Sequence, residues 1–157
     1  RIGLQGQLDE AYQNVTYFGR GPQETYSDRY DGVFYGRWTS TVADMMTQYV
    51  YPQENGNRTG VKWMSFTDGK GRGIMISGNQ PLNMSVWNTT QDELQNAMHV
   101  GEAEVLDGAF TMNVDLVQYG LGGTDSWSSA SRAYKPYRIS GKNYSYSFSI
   151  KPFMQRL

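Results

Sequence analysis

Residues 144–150 (YSYSFSI) constrain the fold most, because apolar Tyr144, Tyr146, Phe148 and Ile150 alternate with Ser145, Ser147, Ser149 and then Lys151. A period of two puts one set of side chains on a dry face and the other in water, which is the demand of a half-buried strand. A helix would scatter the same aromatics around its axis. Once this segment is a strand, its backbone needs neighbours on its edges, so the rest of the chain has to supply a sheet.

The chain supplies many candidates. Ile2, Leu4 and Leu8 keep even spacing through residues 1–8, and Gly6 interrupts them as a bulge would. Residues 12–18 (YQNVTYF) are aromatic and β-branched, and Gly19-Arg20-Gly21-Pro22 stops them. Residues 61–66 and 73–77 flank the glycine-rich run 67–73, which has neither the spacing of a phosphate loop nor a helix start and therefore reads as a hairpin turn. Leu82, Met84 and Val86 alternate with Asn83, Ser85 and Trp87 as a further strand, and residues 102–106 and 110–118 read as a pair around the Asp107-Gly108 turn. Asn55-Gly56 marks another tight turn. The one helix signal is Thr90-Gln91-Asp92-Glu93, a capping box followed by Leu94, Ala97 and Met98. His99 falls at its end, where a cation would favour the helix carbonyls. At least eight strands against one short helix give an all-β, antiparallel sandwich, and 18 Gly, 12 Tyr and 4 Trp suit such a turn-rich, aromatic-faced fold.

With 157 residues and no repeat or linker, the chain forms one domain. A formal net charge of −1 and a pI near 5.8 argue against nucleic acid as a partner, and no apolar run is long enough to span a bilayer. The chain has no cysteine and a single histidine, which leaves no disulfide, no thiolate and no histidine-rich metal centre, so the expectation is no metal and no cofactor. Composition leaves the compartment open between cytoplasm and periplasm. Arg1 in place of an initiating Met suggests a processed product or a piece of something longer.

Three polar stretches carry the candidate chemistry. In residues 120–128 (GLGGTDSWS), Gly120, Gly122 and Gly123 permit unusual backbone angles around a single large aromatic, Trp127. An indole offers a wide apolar face for the C–H side of a sugar ring, and Asp125 and Ser126 supply oxygens for sugar hydroxyls or for the loop's own backbone. The competing reading makes Trp127 a core residue that closes a strand end. Glu24, Asp28 and Arg29 in one charged loop, and Glu54, Asn55 and Arg58 in a second, form either a solvated face or a paired network that holds the domain together or docks it on a neighbour.

Four blocks in order, Arg1-Ile2-Gly3-Leu4, Gly21-Pro22-Gln23-Glu24 with Tyr26, Asp28 and Arg29, Pro52-Gln53-Glu54-Asn55-Gly56, and Gly122-Gly123-Thr124-Asp125-Ser126-Trp127, resemble the carboxy-terminal domain of the family 2 β-galactosidases. The resemblance covers nearly the whole chain. It implies a β supersandwich of the galactose-mutarotase-like type, here its carboxy-terminal part, within a multidomain retaining glycoside hydrolase. It implies that Trp127 reaches the pocket of another domain to help bind a galactoside. Thr124 stands where the best-known bacterial member has an Asp.

The resemblance also places the catalytic carboxylates and the magnesium ligands in an absent barrel domain. A retaining pair lies about 5 Å apart, and Glu24, Glu54 and Asp125 are merely the acids nearest the marked loops, so the chain alone is expected to be inactive. A sandwich without its first half exposes sheet edges, which leads to an expectation of self-association. Two alternatives stay open: a free-standing carbohydrate-binding module built on Trp127 with Trp63 or Trp87, and a mutarotase-like epimerase. The latter needs an acid and a base, and His99 has no evident carboxylate partner in the sequence.

Overall fold

The computed structural model describes residues 1–125 and 127–155. Its organising element is a 16-residue strand, β5 (Arg72–Trp87), to which most of the sheet is tied. In chain order the others are β1 (Ile2–Asp9), β2 (Asn14–Gly21), β3 (Phe34–Thr41), β4 (Arg58–Thr67), β6 (Ala109–Val117) and β7 (Phe148–Met154). All pairings are antiparallel, in the order β1-β6-β5-β4-β2-β3, with β7 joined to β5 off this path. The chain thus has the all-β, antiparallel, sandwich-like class that the alternation indicated.

β5 corrects the expectation of two separate strands at 73–77 and 82–86. Along one edge β4 follows both halves, while the other edge is taken first by β7, from Arg72 to Gly78, and then by β6, from Asn83 to Trp87. Pro81 lies in the gap between those partners, where its missing N–H costs no ladder bond. Gly78 and Pro81, which look like a break in the sequence, instead allow one strand to change neighbours.

The core lies on one face, where Val15 and Tyr17 of β2, Met64 and Phe66 of β4, Met84 of β5 and Val114 of β6 are all buried. Register explains the grouping: Val15 pairs with Phe66, Tyr17 with Met64, and Met84 with Val114, so each apolar residue stands beside another on the same side of the pleat. The other face of β5 and β6 is polar and still buried: Asn113 donates to Ser85 at 3.0 Å and accepts from Gln5, which lies on the exposed side of β1, at 2.9 Å, so the buried pair is satisfied by protein groups.

Other expectations shift. The irregularity in β1 falls between Ile2 and Gly3 rather than at Gly6, and glycine is needed beside it, since a Cβ on Gly3 would stand 2.1 Å from the Asp115 carboxylate. Residues 102–106 form no strand; Glu102 instead accepts from the backbone N–H groups of Met98 and His99 at 2.9 Å each. β7 begins only at Phe148, since the Tyr146 hydroxyl donates to the Val114 carbonyl and its ring stacks on Phe148 at 5.7 Å, holding 144–147 against the core instead of in a ladder.

The hairpin at 67–73 is as expected, with Asp68 accepting from the N–H groups of Lys70 and Arg72 and from the Arg72 guanidinium. Among the described residues there are two short α-helices rather than one, together with 3₁₀ turns at Ser129–Ser131 and Lys135–Tyr137. α1 (Val42–Met45) is capped by Thr41, and α2 (Gln91–Asn96) is capped by Thr90, which accepts from Glu93 N–H at 3.0 Å. His99 lies beyond α2 and pairs with Glu102 at 2.8 Å instead of with helix carbonyls.

Candidate functional site

The site begins at a tight turn of four residues. Tyr26 and Arg29 exchange both backbone hydrogen bonds at 3.0 Å, so Asp28 projects from the tip. Its carboxylate accepts from the N–H groups of Leu121 and Gly122 at 2.9 and 2.8 Å. The glycine loop is thereby pinned to a segment far away in the chain. Gly120 N–H also donates to the Tyr137 carbonyl, and Gly123 N–H to Ser131, which folds residues 120–138 back on themselves. Glycine is required here: a Cβ on Gly120 would stand 2.6 Å from Asp28 Oδ2, and one on Gly122, with φ near 75°, would stand 2.0 Å from the Ser131 carbonyl.

Asp125 organises the tip. Its carboxylate accepts from Trp127 N–H at 3.0 Å, Ser128 N–H at 2.7 Å and the Ser128 hydroxyl at 2.5 Å. The Ser128 hydroxyl, followed by the two backbone donors, holds the Asp125 carboxyl below its ordinary range. Its oxygens thus serve the loop's own backbone. Ser126 lies outside the described residues. Trp127, 86% exposed, presents its indole to solvent, which overturns the reading of it as a core residue. A cavity of about 220 Å³ adjoins the loop, lined by Asp28, Gly122, Thr124, Arg132, Tyr134 and Tyr137.

The two charged loops are laced to each other below this site. Glu24, 7% exposed, accepts from Gly56 N–H at 2.8 Å, from Arg29 at 3.1 Å and from the Tyr49 hydroxyl. Burial, then the bond to Glu24, pushes the Tyr49 phenol up. Asn55 accepts from Thr47 N–H, and its carbonyl receives the Trp87 indole N–H at 2.9 Å. Arg58 is buried without a carboxylate among the described residues; it donates to the Gly56 carbonyl at 2.9 Å and to the Tyr17 hydroxyl at 3.1 Å.

Glu54 belongs to a cluster that sequence reading missed. It accepts from Arg1, and from Tyr26 at 3.4 Å, while Arg1 Nη1 lies 3.2 Å from Asp115 Oδ2. That last contact is off the hydrogen-bonding direction, so both Asp115 oxygens have no hydrogen-bond partner. Burial raises the Asp115 carboxyl to about 6 against the opposing pull of Arg1, and burial also raises Glu54. The signal available in sequence was weak: it is Gly3, two residues from Arg1, where a Cβ would stand 2.1 Å from Asp115 Oδ1 and so leave no room for the acid.

His99 does have a carboxylate partner, Glu102. The side chains are 75% and 50% exposed, so the pair sits on the surface rather than in a cleft. Among the described residues no group of three or more His, Cys, Asp or Glu is placed to hold a metal ion. Likewise no helix among them is long and apolar enough to cross a membrane.

Comparison with known proteins gives this loop arrangement a context. The family model described as beta galactosidase small chain matches residues 1–150. The chain belongs to the beta-galactosidase small-chain family. It is 32% identical over 152 residues to a beta-galactosidase of Priestia megaterium and 36% identical over 151 residues to one of Lactococcus lactis subsp. lactis, each match covering 96% of this chain. It is 35% identical over 131 residues to the beta-galactosidase BgaC of Bifidobacterium adolescentis. The chain spans 14% of the length of the first two relatives. The match thus includes β1 through the start of β7, and the Asp28-anchored loop lies wholly within this beta-galactosidase small-chain region.

Proposed function

We propose that this chain is the carboxy-terminal part of a β-galactosidase, a retaining glycoside hydrolase, and that it completes the galactoside site by presenting Trp127. The observation that carries this reading is the geometry of the loop: an indole 86% exposed, on a backbone fixed by Asp125 from within and by Asp28 from the opposite loop. An exposed aromatic that large loses hydration cheaply when it covers the apolar face of a sugar, and its fixed backbone lowers the entropy cost of doing so.

Glu24, Glu54 and Asp125 are each occupied by donors of this chain, a structural use of carboxylates that fits a catalytic pair and magnesium ligands located elsewhere in the parent. Hydrolysis therefore needs the rest of the enzyme. In the full-length parent, Trp127→Ala should lower kcat/KM for β-galactosides by roughly ten- to a hundredfold, the equivalent of about 1–3 kcal/mol. Unchanged kinetics in a folded variant would rule the assignment out. The same exposure of Trp127 favours a second reading, a carbohydrate-binding module. Calorimetry of the isolated chain with galactosides separates the two, since a module binds alone and a site-completing domain binds little without its partner domains.

A further inference from the structure

Five apolar side chains that the sheet leaves in water gather where residues 50–52 meet residues 97–105. Val50, Tyr51, Met98, Val100 and Val105 are each more than half exposed, Val50 at 83% and Val105 at 67%. Val100 N–H donates to the Val50 carbonyl at 3.1 Å, and the Tyr51 hydroxyl lies 3.8 Å from Met98 Sδ, so the two segments form one surface. A cavity of about 190 Å³ opens within it, with Pro52, Leu94, Val100 and Val105 among its walls. The backbone beneath is fixed: Leu106 N–H donates to the Asn88 carbonyl at 2.8 Å, the Thr89 hydroxyl to the Glu104 carbonyl at 2.6 Å, and Glu104 N–H to the Glu93 carboxylate at 3.1 Å. A preset apolar patch around a hole that one large side chain can enter has the anatomy of an interface.

Charge selects what covers it. No lysine or arginine occurs from residue 73 to residue 131, whereas Asp92, Glu93, Glu102 and Glu104 share the stretch that carries Leu94 and Val100. Glu102 is engaged by His99 and by two backbone N–H groups, but Asp92 and Glu104 are exposed and form no ion pair among the described residues. A second copy docking by the same face would set these acids against one another, so a symmetric pairing is disfavoured and a cationic partner favoured. The chain spans only 14% of the length of its first two relatives, which leaves most of such an enzyme outside it to supply that partner.

We infer that another region of the parent enzyme covers this patch, an apolar segment flanked by lysine or arginine. One of its large side chains seats between Pro52, Leu94, Val100 and Val105, and its cations pair with Glu104 and Asp92. The contact makes no use of Trp127 and stands whatever that residue binds.

Met98, 57% exposed in this chain, is the probe. In the full-length parent treated with hydrogen peroxide, mass spectrometry should find Met98 oxidised roughly tenfold more slowly than in the urea-unfolded enzyme, because the covering segment keeps solvent from its sulfur. Val105→Asp and Glu104→Lys, both at exposed positions, should each release Met98 to oxidation, and Glu104→Gln, which removes the charge without reversing it, should release it less. Oxidation of Met98 at the unfolded rate in the unsubstituted parent overturns the inference, as does protection that neither Val105→Asp nor Glu104→Lys relieves. Carbodiimide coupling of Glu104 to Lys135, Lys142 or Lys151 of another copy overturns it as well, since the occupant would then be this same chain.

Discussion

Asp28 Oδ2 accepts the Gly122 N–H at 2.8 Å, joining residues 94 positions apart and making the glycine loop an extension of the 26–29 turn. Asp28→Ala removes both this bond and the one to Leu121. The exposed loop carries little of the core, so the melting temperature should hardly move, while KM of the parent for galactosides should rise several-fold. Hydrogen exchange provides the direct check, with the Leu121 and Gly122 amides exchanging faster in the variant.

Gly122 and Gly123 should respond differently to alanine. Both have positive φ, 75° and 98°, but a Cβ on Gly123 meets nothing within 4 Å whereas one on Gly122 meets the backbone of Ser131, Arg132 and Ala133 within 2.8 Å. Gly123→Ala therefore carries only left-handed strain, about 1–2 kcal/mol. Gly122→Ala must also displace the 131–133 segment, and the parent's kcat/KM should fall further for it than for Gly123→Ala.

Glu24→Gln tests the network between the charged loops. The glutamine amide would turn an N–H₂ toward donors that now meet a carboxylate oxygen, leaving at least one buried donor unpaired at a cost of about 1–3 kcal/mol. Denaturant unfolding should show a lower midpoint with an unchanged slope. Tyr49→Phe, which removes one of the three partners, should cost less.

Asp115 makes a pH prediction. Its folded-state value, raised to about 6 from 3.8, means that the folded chain binds the proton more tightly than the unfolded one. Its contribution is therefore most favourable below about 4 and is lost as the pH rises through about 6, at roughly 1.4 kcal/mol per unit between the two values. Burial raises Glu54 in the same direction. Stability measured from pH 4 to 7 should decline less in Asp115→Asn than in the wild type; identical profiles would show that Asp115 does not carry this term.

β1 and β3 end the strand order, and each leaves one edge without a strand partner among the described residues. On β3, Phe34 and Tyr35 are also exposed. The isolated chain should self-associate through such edges, seen as a weight-average mass that rises with concentration in sedimentation equilibrium. A constant monomer mass would show that the edges are protected.

Where structure follows from local pattern, the sequence was legible: the phases of β2, β4 and β6, the hairpin at Asp68 and the Thr90 cap each depend on neighbours within a few residues. Trp127 was legible as a candidate because its loop is rich in glycine, but core or surface could not be decided until Asp125 and Asp28 were seen to fix the backbone outward. What stayed hidden depends on distant partners. The Tyr146 hydroxyl goes to Val114 and delays β7, and Arg1 lies between Glu54 and Asp115, neither of which is near it in sequence. Alternation at 144–147 was real, yet it served packing rather than pairing.

The handover on β5 makes the short stretch between its two partners a joint between the halves of the sheet. β7 holds Arg72 to Gly78, β6 holds Asn83 to Trp87, and the register with β4 slips between Ser77 and Leu82, so residues 79–82 follow no strict pleat. Ile76 and Met84 reach one core from either side of that slip, and an irregular segment of this kind can take up a single extra residue. Length variation among homologues should therefore concentrate at this link and spare the ladders on either side of it.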